Sequence, residues 1–393
     1  MTTSTTSTSD LFQHAVETVR TWPIEPPDRK PAFTLPSVPS REISASPGPI
    51  EGLDDDLWDS RQRLRDGRLT VPGIAAHALQ QTDRHDSEFG AFEHRADNSA
   101  LVRELDLEAQ AGSFRGSLHG IPISVKDIID VAGMPTRGSS VALPPRTAAV
   151  DATAVARLRA AGAVLTGKVS THEFALGVTT PQARSPWDKS RVPGGSSGGS
   201  AISLVTGMAL GSLGTDTRAS IRVPAALCGL VGFKPSLDVV PTDHWLTLSW
   251  TLDHFAPMAR SVRDIALMMD VLTDAPGCFT GVLPGSLEGR RIGYTEGTLA
   301  GAQPEIEQRF RESLDAMAKA GAIVTKLDRP TAEDYALANA AGMVISRAEA
   351  AQFHAEAGTV LDRCIPEVRD QLRAAMDLKA PNASRYHATT VSR

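Results

Sequence analysis

The run PGGSSGGSA, Pro193 to Ala201, is the stretch whose reading decides how the rest of this 393-residue chain is organised. Gly/Ser-rich sequence is usually a flexible linker, but linkers are commonly flanked by polar or proline-rich residues. Here an apolar helical pattern, AISLVTGMALGSLGTD, starts at the last residue of the run, so the linker reading loses ground. A phosphate loop of the GxxxxGK[ST] type needs a lysine after its last glycine, and positions 200 and 201 are Ser and Ala. The dinucleotide pattern fails too, because Gly194 and Gly195 are adjacent and no acidic ribose partner follows about 20 residues on. A nest of backbone N–H groups that holds an anion stays open. So does a rigid loop that places serines for chemistry. Ser, Lys and Ser can form a nucleophile, a proton bridge and a base without histidine, provided the lysine is buried enough for its neutral amine to be accessible near neutral pH.

Upstream, Lys126 in PISVKDIID is placed that way, inside the short β-branched run of a buried strand. Its bland alternative is a salt bridge to Asp127 or plain surface exposure. After it, Asp151 reads as the cap of a helix, ATAVARLRAAGA, followed by a second buried-strand pattern, AVLTGKVS. The glycine-rich loop then leads into a helix over about 199–206 and a strand over about 208–213. Further on, RSVRDIALMMDVLTDA and PEIEQRFRESLDAMAKAG read as helices, the second followed by a strand at 322–327. Residues 53 to 111 read as helices throughout: LWDSRQRLRDG, VPGIAAHALQQTD and SALVRELDLEAQAG. This alternation of helix and strand predicts a layered α/β/α fold on a mixed, mostly parallel sheet covered by helices.

Composition narrows the function classes. The net charge of −6 comes from 40 basic and 46 acidic residues spread along the chain. No basic block would follow a nucleic-acid backbone or an anionic membrane, so neither partner is expected. Cys228, Cys278 and Cys364 are odd in number and lack CxxC spacing, which argues against a disulfide framework or a zinc site and for a reducing, cytoplasmic setting. No run of 18 or more apolar residues offers a membrane helix, and the start, MTTSTTSTSD, has no basic-then-apolar export pattern. The Thr/Ser tail and the dense prolines from Pro23 to Pro49 predict an extended arm over 1–52.

PWDKSRVPGGSSGGSA followed by LGTDTRASIRVPAALCGLVGFKPS resembles the signature region of the amidase signature hydrolases. LHGIPISVKDIIDVAGMPTRGSS resembles that family's lysine strand, AGAVLTGKVSTHEFALG its next helix and strand, and SWTLDHFAPMARSVRDIALMMDVL its aspartate-histidine segment. The matches run in the family's order from about Val71 to Leu272. The resemblance implies one amidase domain over 53–393: a helical preface at 53–112, a catalytic core at 113–275 and a further α/β part at 276–393. It implies that Ser220 is the nucleophile, Ser196 a bridging serine held in a cis peptide, and Lys126 the base. Backbone N–H groups of Thr217, Arg218, Ala219 and Ser220 would hold the oxyanion. Ser197 would hydrogen-bond within the triad, and Asp216 with Arg222 would brace the nucleophile turn, although ordinary capping or a structural salt bridge explains these three as well. No metal or cofactor is implied; His172, His244 and His254 are read as packing or hydrogen-bonding residues.

Two departures from the family pattern stand out. The family has two glycines before the nucleophile, where this chain has Arg218 and Ala219; a non-glycine residue there at positive φ would cost about 1 kcal/mol or more. Arg218 could instead point into the pocket and select a carboxylated substrate. The family also continues beyond the helix that PNASRYHATTVSR resembles, which implies a C-terminally incomplete fold with an exposed sheet edge. The expected activity is hydrolysis of a small amide, releasing carboxylate and ammonia or amine. The alternatives are a silent, ligand-binding homologue or the glutaminase-type component of an amidotransferase. A homodimer is one open assembly.

Overall fold

The computed structural model describes residues 56–283 and 285–377. The expected arm at 1–52 and the segment PNASRYHATTVSR lie outside them. The described residues fall into two compact units, one at Val282–Ile345 and the other at 56–281 together with 346–377.

The larger unit opens with helices α1 (Leu57–Arg65) and α2 (Val71–Phe89), strand β1 (Phe92–Arg95) and helix α3 (Ser99–Gln110). Helix α2 is bounded as its sequence demands: the Thr70 hydroxyl accepts from Gly73 N–H at the start, and Gly90 ends it in the left-handed region. There follow β2 (Pro122–Lys126), α4 (Thr153–Ala160), β3 (Val164–Val169), α5 (Gly198–Val205), β4 (Gly211–Asp216), α6 (Arg222–Cys228), β5 (Val231–Gly232), β6 (His254–Ala259) and α7 (Val262–Leu272). The sheet order is β1-β3-β2-β4-β6-β5. Strands β3, β2 and β4 are mutually parallel, β1 and β6 run against them, and β5 runs against β6, so four of the six strands share one direction.

Strand β2 is buried along its whole length, as a central parallel strand must be, and its two faces differ in chemistry. Ile123 and Val125 join Leu213 of β4 and Leu57, Ile265 and Met268 of α1 and α7 in the main apolar core. On the opposite face the hydroxyls of Ser124, Ser203 and Ser212 lock the sheet to α5 with bonds of 2.8–2.9 Å. Small residues there let α5 approach closely: a Cβ on Gly199 would lie 2.4 Å from Ser170 N and 2.6 Å from Ala91 O. The glycines of PGGSSGGSA are thus where backbone meets backbone, the reverse of a linker.

Several sequence expectations shift. The preface is not all helix, because FEHR at Phe92–Arg95 pairs with β3 at the sheet's edge. The strand expected near 208–213 begins at Gly211 and runs to Asp216, since Met208–Leu210 is spent turning from α5 into the sheet. HFAPMA, read only as part of a family segment, forms the antiparallel β6. Asp151 does not cap α4: Ala152 sits at the cap, while Asp151 accepts from Ala132 N–H and pairs with Arg159. Helix α7 does start on a reciprocal capping box between Ser261 and Asp264.

The smaller unit holds the parallel pair β7 (Arg291–Tyr294) and β8 (Ile323–Lys326), linked by helix α8 (Pro304–Lys319), which begins on a proline in its first turn. Helix α9 (Ala332–Glu356) starts in this unit, and α10 (Pro366–Met376) belongs to the larger one. Among the described residues no helix is long and apolar enough to cross a membrane.

Candidate active site

Strand β2 ends on Lys126, and the residue is fully buried. Its Nζ lies 2.7 Å from Ser196 Oγ and donates to Thr215 Oγ1 at 2.8 Å. Its hydrogen bonds thus go to hydroxyls and not to a carboxylate. Burial therefore pulls its ammonium from the ordinary 10.5 down to about 7, with the negative charges of Asp253 and Asp216 pulling the other way. The bland reading of this lysine, a pair with Asp127, is not what forms. Asp127 faces the buried Lys168 at 3.4 Å, and Lys168 also donates to Pro135 O and Thr136 Oγ1. A strand alternates its faces, so neighbours 126 and 127 cannot both reach one site.

Ser196 follows a cis Gly195–Ser196 peptide bond. Its carbonyl accepts from His172 N–H at 2.9 Å and from the Thr180 hydroxyl at 3.1 Å, which pins the loop from the side of residues 172–180. Ser197 N–H donates to Ser220 O at 3.1 Å, so the glycine-rich loop and the turn after β4 are tied backbone to backbone. The Ser197 hydroxyl goes to Thr215 O at 3.3 Å rather than to Lys126 or Ser196.

The turn TDTRAS hangs on two buried carboxylates. Asp216 takes Arg222 Nε and Nη2 at 2.9 and 3.0 Å, plus the N–H groups of Ala219 at 2.8 Å and Ile221 at 3.3 Å. Those partners outweigh its burial and hold its carboxyl below the usual range. Asp253 takes the Thr217 hydroxyl, Trp245 Nε1, the Thr247 hydroxyl and the N–H groups of Leu248 and Ser249. The expectation that Ala219 N–H serves an oxyanion loses that donor, since Asp216 has it. Ala219 adopts φ 117°, a conformation that favours glycine, whereas Arg218 is not among the residues with positive φ.

Ser220 is 5 % exposed at the start of this turn's exit into α6. Arg218 is part-buried, and burial holds its guanidinium below the usual arginine range. Arg347 of α9 is brought down to about 10 by burial and by the charge of Arg218, with Glu367 opposing. His172 is buried beside them, its ring 3.1 Å from the Thr179 hydroxyl; burial, Arg347 and Lys126 together push it to about 4, so it is neutral at ordinary pH. His254 contacts Leu252 O and Lys234 Nζ. Among the described residues no three His, Cys, Asp or Glu side chains gather as a metal-binding group. Thr215, Asp253, Thr180 and Arg347 escaped the sequence reading. Of these, Asp253 carried a signal, since it lies in the segment likened to the family's aspartate-histidine segment, whereas Thr215 lay just beyond the strand read over 208–213.

The family model for amidases matches residues 74–380. The chain belongs to the amidase family. A curated relative from Roseiflexus sp. strain RS-1, described as the A component of glutamyl-tRNA(Gln) amidotransferase, is 38% identical over 292 residues, which are 70% of this chain and 60% of that one. The chain therefore spans about three fifths of the length of that relative. Among solved structures, an amidase superposes with TM-score 0.73 at 35% identity, covering 82% of this chain and 74% of the other. The peptide amidase from Stenotrophomonas maltophilia gives 0.69 at 28%, covering 84% and 77%. The α/β fold of the amidases is thus the fold of this chain.

Proposed function

We infer that the chain hydrolyses the carbon-nitrogen bond of a small amide through a Ser220 acyl-enzyme. The observation that carries this is a fully buried lysine, held at about 7 and bonded to hydroxyls alone, 2.7 Å from Ser196 Oγ. Near pH 7 roughly half of such a lysine is neutral and able to take a proton. In the proposed cycle Ser220 Oγ attacks the carbonyl carbon and its proton passes through the Ser196 hydroxyl to Lys126. The same pair then protonates the departing nitrogen, and a water molecule repeats the path to release the carboxylate. Arg218, with Arg347 close enough to feel its charge, favours a substrate that carries a carboxylate. Arg218→Gly is expected to raise turnover of neutral amides relative to carboxylated ones, and unchanged selectivity overturns that part.

A second reading, the glutaminase-type component of an amidotransferase, draws support from the relatives bearing that description. Both readings need an activated serine. Intact mass after exposure to a fluorophosphonate is expected to show one adduct on the wild-type chain and none on Ser220→Ala or Lys126→Ala. No adduct on a folded wild-type chain leaves the silent, ligand-binding homologue as the reading. Glutamine hydrolysis by the chain alone, compared with that of other amides, separates the first two.

A further inference from the structure

A cavity of about 450 Å3 opens in the larger unit at the opposite end of the sheet from Lys126. Its walls include residues 115–117, which lead into β2, and Ala160 and Ala161, which lead into β3. Residues that precede a strand lie at its N-terminal edge, whereas Lys126 ends β2; five strand residues put roughly 15 Å between the two places.

Three guanidinium groups line the cavity, those of Arg61, Arg115 and Arg157. Arg115 is satisfied by Glu104 and Glu108, and Arg157 Nη1 donates to Leu272 O at 2.6 Å. Arg61 differs. Its Nε is buried without a hydrogen bond, and its guanidinium lies 5.6 Å over the Trp58 ring. Burial and the like charge of Arg65 hold it down to about 10, with no carboxylate in opposition. Two carboxylates also reach the cavity. Asp270 is consumed by the N–H groups of Gly277 and Phe279 and the Thr280 hydroxyl, and Asp274 is exposed to water. Leu267 and Val271 of α7 supply apolar wall.

Because Nε itself is shut off from solvent, it is the terminal nitrogens of Arg61 that can reach a ligand, and a cavity of this size is within the range that holds small ligands. We propose that this cavity is a second ligand site, taking a small organic anion whose carboxylate or phosphate head bonds to Arg61 and whose apolar body lies against α7. The charge-assisted bond to Arg61 fixes the head; Arg157, bonded only to a backbone carbonyl, adds positive field, while the charge of Arg115 is offset by Glu104 and Glu108. The site does not depend on Ser220 being the nucleophile.

The test is isothermal titration of the full chain with benzoate, with phenyl phosphate, and with benzyl alcohol as the uncharged counterpart. Saturable binding of either anion, absent for benzyl alcohol, is expected, and the anion that binds identifies the head group. Affinity falls at least tenfold in Arg61→Gln, as loss of a charge-assisted bond dictates. Ala160→Glu abolishes binding by setting a carboxylate in the cavity while leaving Arg61 in place, so it decides the matter if Arg61→Gln does not fold. Arg218→Gly leaves binding unchanged. No saturable binding of either anion, wild-type affinity in both cavity variants, or loss in Arg218→Gly instead overturns the proposal.

Discussion

Replacing Lys126 by methionine tests the energetics on which the candidate site rests. An unfolded lysine titrates at 10.5 and the folded one at about 7, so over the window between these values the unfolded chain holds close to one more proton than the folded chain. Stability must then rise with pH across that window, because the unfolded state is the one that binds protons. From about pH 7 to about pH 9.5 the gain is about 3 kcal/mol, taking about 1.4 kcal/mol per pH unit for a proton difference that averages close to one. The methionine variant also leaves the Ser196 and Thr215 hydroxyls without their lysine partner, at roughly 1–3 kcal/mol. That loss does not depend on pH, so it cancels when each protein is compared with itself at the two pH values. Other titrating groups cancel in the same way. The assay is urea unfolding followed by tryptophan fluorescence at both pH values. Trp58, Trp187, Trp245 and Trp250 belong to the larger unit and Val282–Ile345 contains no tryptophan. Trp22, outside the described residues, is replaced by phenylalanine in both proteins, so the signal reports on the unit that carries Lys126. Wild type should gain about 3 kcal/mol more than Lys126→Met over this interval. Parallel pH dependence in the two proteins would mean that Lys126 is not a desolvated, low-pKa amine, and the proposed base would fail with it.

Ala219→Gly removes a Cβ from φ 117°; relief of about 1–3 kcal/mol less roughly 0.5–1 kcal/mol of glycine entropy predicts a net gain near 1 kcal/mol in urea unfolding, and a loss would show the turn unstrained. The rate of fluorophosphonate labelling should climb as pH rises through about 7, where Lys126 loses its proton. Because Asp253 holds that value up, Asp253→Asn should move the climb to lower pH; a profile that stays in place denies the electrostatic link. Gly199→Ala drives a Cβ against Ser170 N and Ala91 O, so a destabilisation of about 3 kcal/mol is expected by thermal melting, and a neutral result would contradict the close approach of α5.

Helix boundaries and buried strands were legible where the cause is local. The capping box at Ser261, the left-handed glycine after Phe89 and the apolar run of PISVK are all written in a few consecutive residues. The misread elements have non-local causes. FEHR becomes a strand only because β3 offers it an edge, and Asp151 leaves its helix because Ala132 N–H is a nearer claim.

The sequence by itself determined that a glycine-rich loop and a lysine-bearing buried strand belong to an α/β chain, since periodicity carries that much, and the order of its motifs supplied the resemblance to the amidase family. Tertiary structure alone decided which groups meet Lys126. Ser196 and Thr215 stand 70 and 89 positions away along the chain, and only the register of β2 against β4 and the seating of α5 bring them within 3 Å. The same long-range pairing handed Asp127 to Lys168, gave Ala219 N–H to Asp216 and set Asp253 under the Ser220 turn. No local pattern encodes such contacts, because each is fixed by where separate elements pack and not by the residues on either side of it.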